Sequence, residues 1–167
     1  MELVPYADTE ADRALTEELE SDPEVMRELG GAHNAEEIAA THERRANQLE
    51  LPDWWFKIVP EPGGAAVGTI GIWPADHVDD RIYEVGWTVL ARHQGKGIAS
   101  RALAILLERA RADGRFGSVH AFPGVTNPAS NALCRKFGFR KLGERDVVYT
   151  GRTLRVNHWV LDLDERG

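Results

Sequence analysis

The sequence is short of the residues that would place it outside the cell or inside a membrane. Its one cysteine, Cys134, excludes an internal disulfide and a thiolate-clustered metal site. Its apolar runs are short, broken by charges, and far from the length of a membrane span. The opening run from Met1 to Tyr6 lacks the basic stretch and apolar core of a secretory signal. A cytoplasmic protein is the expectation. Net positive charge is missing too: the formal charge is -7, which gives no support for general nucleic-acid binding. No internal repeat or second-domain boundary is visible, and 167 residues suit a single domain spanning 1–167. His33 and His42 stand nine apart, too far along a helix for a local metal pair, so no metal site is expected.

What is present is uneven charge. From Asp8 to Glu24 there are eight acidic residues and one basic residue, Arg13. From Arg92 to Arg115 there are six basic residues against two acidic ones, Glu108 and Asp113. A basic patch on an acidic chain suits a compact anionic ligand, or a solvated helix face.

Periodicity gives the elements. A first strand near Leu3 to Tyr6 precedes a helix from Thr9, its cap, to Leu19. Asp22-Pro23-Glu24 predicts a second, short helix ending at Gly30-Gly31. A third helix is expected over Ala35 to Leu49, with His42 as a packing residue. Asp53 to Val59 and Ala65 to Trp73 read as a hairpin around Pro62-Gly63-Gly64. A polar loop, Asp76 to Asp80, leads to a strand over Arg81 to Val89 that sets Tyr83, Val85, Trp87 and Val89 on one face and Glu84 on the other. The longest helix runs from about Gly97 to Asp113, followed by a strand at Gly117 to Phe122 and a helix at Asn127 to Phe137. Two strands, Arg140 to Tyr149 and Leu154 to Leu163, complete the chain. Strands alternating with crossover helices define a mixed α/β class with a central sheet of about seven strands.

The most informative stretch is Val89-Leu90-Ala91-Arg92-His93-Gln94-Gly95-Lys96-Gly97-Ile98-Ala99. A strand ends, two glycines follow, and a long helix begins. Glycines let the backbone turn tightly and let its amides approach a ligand. The unpaired amides of a helix start converge on one place, where the helix dipole favours an anion. Arg92 and Lys96 add positive charge. The run lacks the Lys-Ser/Thr ending of an ATP-binding loop and the third glycine of a dinucleotide fold. Local chemistry therefore asks for an anion without saying which.

These residues, in this order, resemble the GCN5-related N-acetyltransferase (GNAT) family. That family's signature is Arg or Gln, two residues, Gly, one residue, then Gly or Ala, and here it stands as Arg92 to Gly97. Asn127 to Phe139 resembles a second family segment, and Glu84-Val85-Gly86-Trp87 matches the preceding strand. The nearest likeness is to ribosomal-protein alanine acetyltransferases. The resemblance implies that acetyl-CoA, the acetyl donor, lies in a V-shaped gap between two parallel strands, here Arg81 to Val89 and Gly117 to Phe122. It implies that amides of Gln94, Gly95, Lys96, Gly97, Ile98 and Ala99 hold the pyrophosphate, with Arg92 and Ser100 nearby. Trp87, Thr88 and Val89 would pair with the pantetheine arm, and Asn127 would contact it from the second crossover. Many members carry a tyrosine where this chain has Cys134, which removes the usual acid for the departing thiolate. A thiol with a pKa near 8.5 still leaves readily as its anion.

The expected partners are acetyl-CoA and an amine-bearing acceptor, a protein or peptide α-amine or else an aminoglycoside or polyamine; a noncatalytic acyl-CoA-binding regulator is the rival class. A homodimer stays open. Glu84 is the preferred base, acting through water, against the alternative of an ion-paired strand glutamate. His120 on the next central strand is an alternative proton relay or a core histidine. Cys134 is expected to pack near the cofactor. Trp54, Trp55 and Phe56 alternate in direction, so one face packs while the other packs too or lines an acceptor groove.

Overall fold

The computed structural model describes residues 1–47, 53–75 and 80–164. Strands β1 (Glu2–Pro5), β2 (Trp54–Val59), β3 (Gly68–Pro74), β4 (Tyr83–Val89), β5 (Ser118–Ala121), β6 (Arg140–Tyr149) and β7 (Arg152–Asp162) form one seven-stranded sheet. Its order is β1-β2-β3-β4-β5-β7-β6, antiparallel throughout except for the parallel pair β4–β5. Helices α1 (Glu10–Ser21), α2 (Ala35–Ala46), α3 (Ile98–Asp113) and α4 (Pro128–Lys136) complete the mixed α/β fold.

Two clusters fill the two faces of the sheet. On one, Leu103, Leu106, Leu107 and Ala110 of α3 meet Ile70, Ile72, Val85 and Val119, with Cys134 of α4 and Trp159 of β7 in the same core. On the other, Leu15 and Leu19 of α1 pack with Tyr6, Trp55 and Leu90. Alternation along β2 sends Trp54 and Phe56 to the larger core and Trp55 to the smaller one, where it stacks on Trp73 with ring centroids 4.3 Å apart. Both faces of that aromatic block are thus used for packing. His42 is also buried, bonded through Nδ1 with Thr16 Oγ1 at 3.3 Å.

The short helix expected from Pro23 does not form. Asp22 Oδ1 accepts from the Glu24 amide at 2.8 Å, and only a 3-10 turn, Arg27–Leu29, follows before Gly30 at φ +89°. The stretch before Gly30 is too short to offset the cost of helix nucleation, and the buried Met26 anchors it as a turn instead. β3 begins at Gly68 rather than Ala65, and β4 at Tyr83 rather than Arg81. α2 ends at Ala46, with Asn47 as its C-cap, short of the expected Leu49; residues 48–49, and 76–79 of the expected loop, lie outside the described residues.

Candidate active site

β4 is paired unequally on its two sides. Toward β3 the register is complete, from Gly68↔Val89 to Pro74↔Tyr83; toward β5 it consists of Glu84↔His120 alone. The two parallel strands therefore part after Glu84, in the direction of their C-terminal ends. Leu90 donates its amide to the Val67 carbonyl at 2.9 Å on the β3 side, whereas the Val89 carbonyl accepts from Gln94 Nε2 at 2.9 Å. Backbone groups alternate along a strand, so Trp87 presents its N–H and C=O on the same side as Val89, toward the gap. Thr88 faces β3, and its hydroxyl meets that of Thr69 at 2.9 Å. A V-shaped opening with one polar backbone wall is the result.

Beyond Val89 the chain makes a 3-10 turn, Ala91–His93, and enters α3 through Gly95 and Gly97, both at φ +72°. Side chains rarely adopt that left-handed conformation, which explains glycine at both places. Gly97 is the N-cap of α3, with no side-chain cap and no acidic residue in the first turn. The first helical bond is Arg101 N–H to the Gly97 carbonyl at 3.1 Å. The amides of Ile98, Ala99 and Ser100 thus have no partner inside the helix. Lys96 folds back to donate to the Arg92 carbonyl at 2.9 Å, and Lys136 of α4 donates to Ser100 Oγ at 2.7 Å. Arg92 itself forms an exposed ion pair with Glu18 of α1. Lys96 and Lys136 are the other cationic side chains beside the open amides. Asn127 caps α4, its Oδ1 accepting from the Ser130 amide at 3.1 Å.

The sheet face opposite α3 carries Glu84, His120 and His158. Glu84 and His120 are register partners, so they share this face, while Val85 and Val119 point into the larger core. His120 Nδ1 lies 2.8 Å from His158 Nε2 of β7, and Phe122 stacks on His158. Burial, then His120 and Arg145, push the His158 imidazolium down to about 4. Burial also lowers His120, with Asp80 opposing. Tyr149, at the end of β6, is pushed up to about 12, chiefly by burial and then by Glu20. Glu20 is itself buried, paired with Arg45 at 2.6 Å and with His33 at 3.2 Å. Cys134 is fully buried in the larger core, and desolvation pushes its thiol up to about 12.

The geometry brings Glu84, Trp87, Val89 and the Gln94–Ser100 junction around one gap. His158, Tyr149 and Lys136 are additions that no local motif announces.

A family model described as an acetyltransferase (GNAT) domain matches residues 1–140. The chain belongs to the GNAT family and is an acetyl-CoA-dependent N-acetyltransferase. A search of curated proteins found no match. Among solved structures, the fold is similar to that of ribosomal-protein-alanine N-acetyltransferase from Brucella melitensis, at TM-score 0.74 and 24% identity over 93% of this chain and 97% of that one. It is similar to a Salmonella typhimurium acetyltransferase that modifies the N-terminal serine of ribosomal protein L7/L12, at TM-score 0.72 and 19% identity over 98% and 100%. It is also similar to yncA of Salmonella typhimurium, solved with acetyl-CoA, at TM-score 0.69 and 22% identity over 100% and 97%. No helix among the described residues is long and apolar enough to cross a membrane.

Proposed function

We propose that the acceptor is a protein or peptide α-amine, that acetyl-CoA occupies the β4–β5 gap, and that Glu84 deprotonates the bound acceptor through water. The observation that carries this reading is the unpaired edge of β4 running directly into the uncapped start of α3. The backbone of Trp87 and Val89 suits the amides of the pantetheine arm, with Thr88 holding β4 to β3 between them. The amides of Gly95, Lys96, Gly97, Ile98, Ala99 and Ser100 suit the pyrophosphate, whereas the Gln94 amide, expected to join them, donates to the Ala91 carbonyl at 3.1 Å. Arg92 steadies this junction through Glu18, and Asn127 stands at the far wall of the gap as the cap of α4. Bound there, acetyl-CoA supplies a thioester carbonyl to a nucleophile arriving over the Glu84 face.

Acceptor chemistry favours an α-amine because the base available is a carboxylate. At pH 7.4 about a quarter of α-amines are neutral, against about a thousandth of lysine side chains. The two ribosomal-protein acetyltransferases of like fold are described as acting on N-terminal residues or alanine, which is compatible with this class. The buried free thiol of Cys134 fits a cytoplasmic setting. Glu84→Gln should leave acetyl-CoA affinity in place and lower kcat/KM for an alanyl peptide about a hundredfold at pH 6.5. The deficit should shrink as pH rises past the acceptor's own pKa, where solution supplies neutral amine. Equal pH profiles for both proteins would remove Glu84 as the base; a consistent preference for spermidine or an aminoglycoside over the peptide would remove the α-amine.

A further inference from the structure

An ammonium acceptor loses two protons on the way to an amide. One leaves before attack, to free the lone pair; the other leaves after the C–N bond has formed. Glu84 accounts for the first, and the face it shares holds a second group suited to the other.

His120 is the register partner of Glu84 at the place where β4 and β5 part. Because β7 lies between β5 and β6, it delivers His158 to the same face, Nε2 of His158 standing 2.8 Å from Nδ1 of His120. Two ring nitrogens at that separation share a single proton, so one ring donates and the other accepts. The contact occupies Nδ1 of His120 and leaves Nε2 as its other ring nitrogen. Phe122 fixes the orientation of His158, with ring centroids 4.6 Å apart and planes 27° from parallel. The charged groups around the pair are Glu84 on β4, Asp80 before it, and Arg145 on β6. His158 is held neutral through the physiological range, and in its Nδ1–H tautomer its Nε2 accepts.

We infer that His120 is a catalytic residue that takes the second proton on Nε2, and that His158 is a positioning residue that holds His120 in the Nδ1–H tautomer. The inference rests on acetyl transfer to an amine at the β4–β5 gap. The neutral amine nitrogen forms a bond to the thioester carbonyl carbon. The C–S bond breaks, its electron pair leaving on the coenzyme thiolate, and one of the two protons on the cationic nitrogen of the adduct passes to His120 Nε2, leaving a neutral amide. The imidazolium is stabilised while its Nδ1–H donates to His158, and it returns the proton to water as the product leaves.

The test uses the full chain with an alanyl peptide and with spermidine as acceptors. His120→Gln should lower kcat at pH 7 about tenfold or more while leaving KM for acetyl-CoA within about twofold. His158→Gln should lower kcat less and move the acidic limb of the kcat profile, because His120 then titrates without its partner. Ring-nitrogen NMR should show His120 and His158 titrating as a coupled pair in the parent, and the His120 titration moving in His158→Gln. Unchanged kcat and pH profile in a folded His120→Gln overturns the inference alone, as do two rings that titrate independently. Failure of the parent to acetylate either amine overturns both the inference and the reading beneath it.

Discussion

Helix α2 starts with Asn34, whose side chain accepts from the Glu37 amide while Glu37 reaches back to the Asn34 amide, each at 2.9 Å. Glu36 and Glu37 place two acids in that capped first turn, which compensates the helix dipole. Helix α3 starts with Gly97, no side-chain cap, and no acid in the first turn. Among the described residues, α1 and α4 resemble α2, with Thr9 and Asn127 as caps. The odd helix out is the one that follows the half-paired strand. Closed helix starts serve stability, and in the function proposed above this open one is left for the coenzyme to cap.

That contrast breaks most sharply at Gly97. Gly97→Val forces a β-branched residue to φ +72°, which costs about 1–3 kcal/mol of backbone strain or tilts the first turn away. Acetyl-CoA affinity should fall about a hundredfold, roughly 2.7 kcal/mol by calorimetry, in a protein whose circular dichroism still shows the fold. Unchanged affinity would mean the anion binds elsewhere. The reciprocal substitution, Asn34→Ala, should cost about 1 kcal/mol in chemical denaturation and leave acetyl-CoA affinity unaltered. Parallel losses of stability and affinity would erase the distinction between the two helix starts. The smallest effect belongs to Lys136→Met, which removes the ammonium beside Ser100. Acetyl-CoA binding should weaken only about threefold, and the difference should vanish in high salt.

Much of this was readable in the chain, for physical reasons that operate within a few residues. Thr9 marks a helix start, and the alternation of β4 separates Glu84 from Val85 because a strand has period two. The Gln94–Ser100 junction was legible for the same reason: strand end, turn and helix start are contiguous. Pro23 misled because a start signal and a stop at Gly30-Gly31 bound a segment without ensuring that so few residues offset helix nucleation. Contacts across the chain were opaque. Arg92 and Glu18 are 74 residues apart, and His120 and His158 are 38 apart. Pairing the two rings requires knowing that β7, not β6, lies beside β5, a choice settled by the packing of the whole sheet. Tyr149 and Lys136 belong to the same class, brought to the site by the β6–β7 hairpin and the α4 crossover.

The insertion of β7 between β5 and β6 also sets an order in time. β5 holds β4 through one register position but lies along β7 from Ser118↔Asp162 to Ala121↔Trp159. During synthesis, everything on the β4 side of the gap, including α3, emerges before residue 114, yet the opposite wall has its main partner only when the last strand arrives. A nascent chain therefore carries half a binding cleft, with the edges of β4 and β5 both exposed, until translation reaches residue 162.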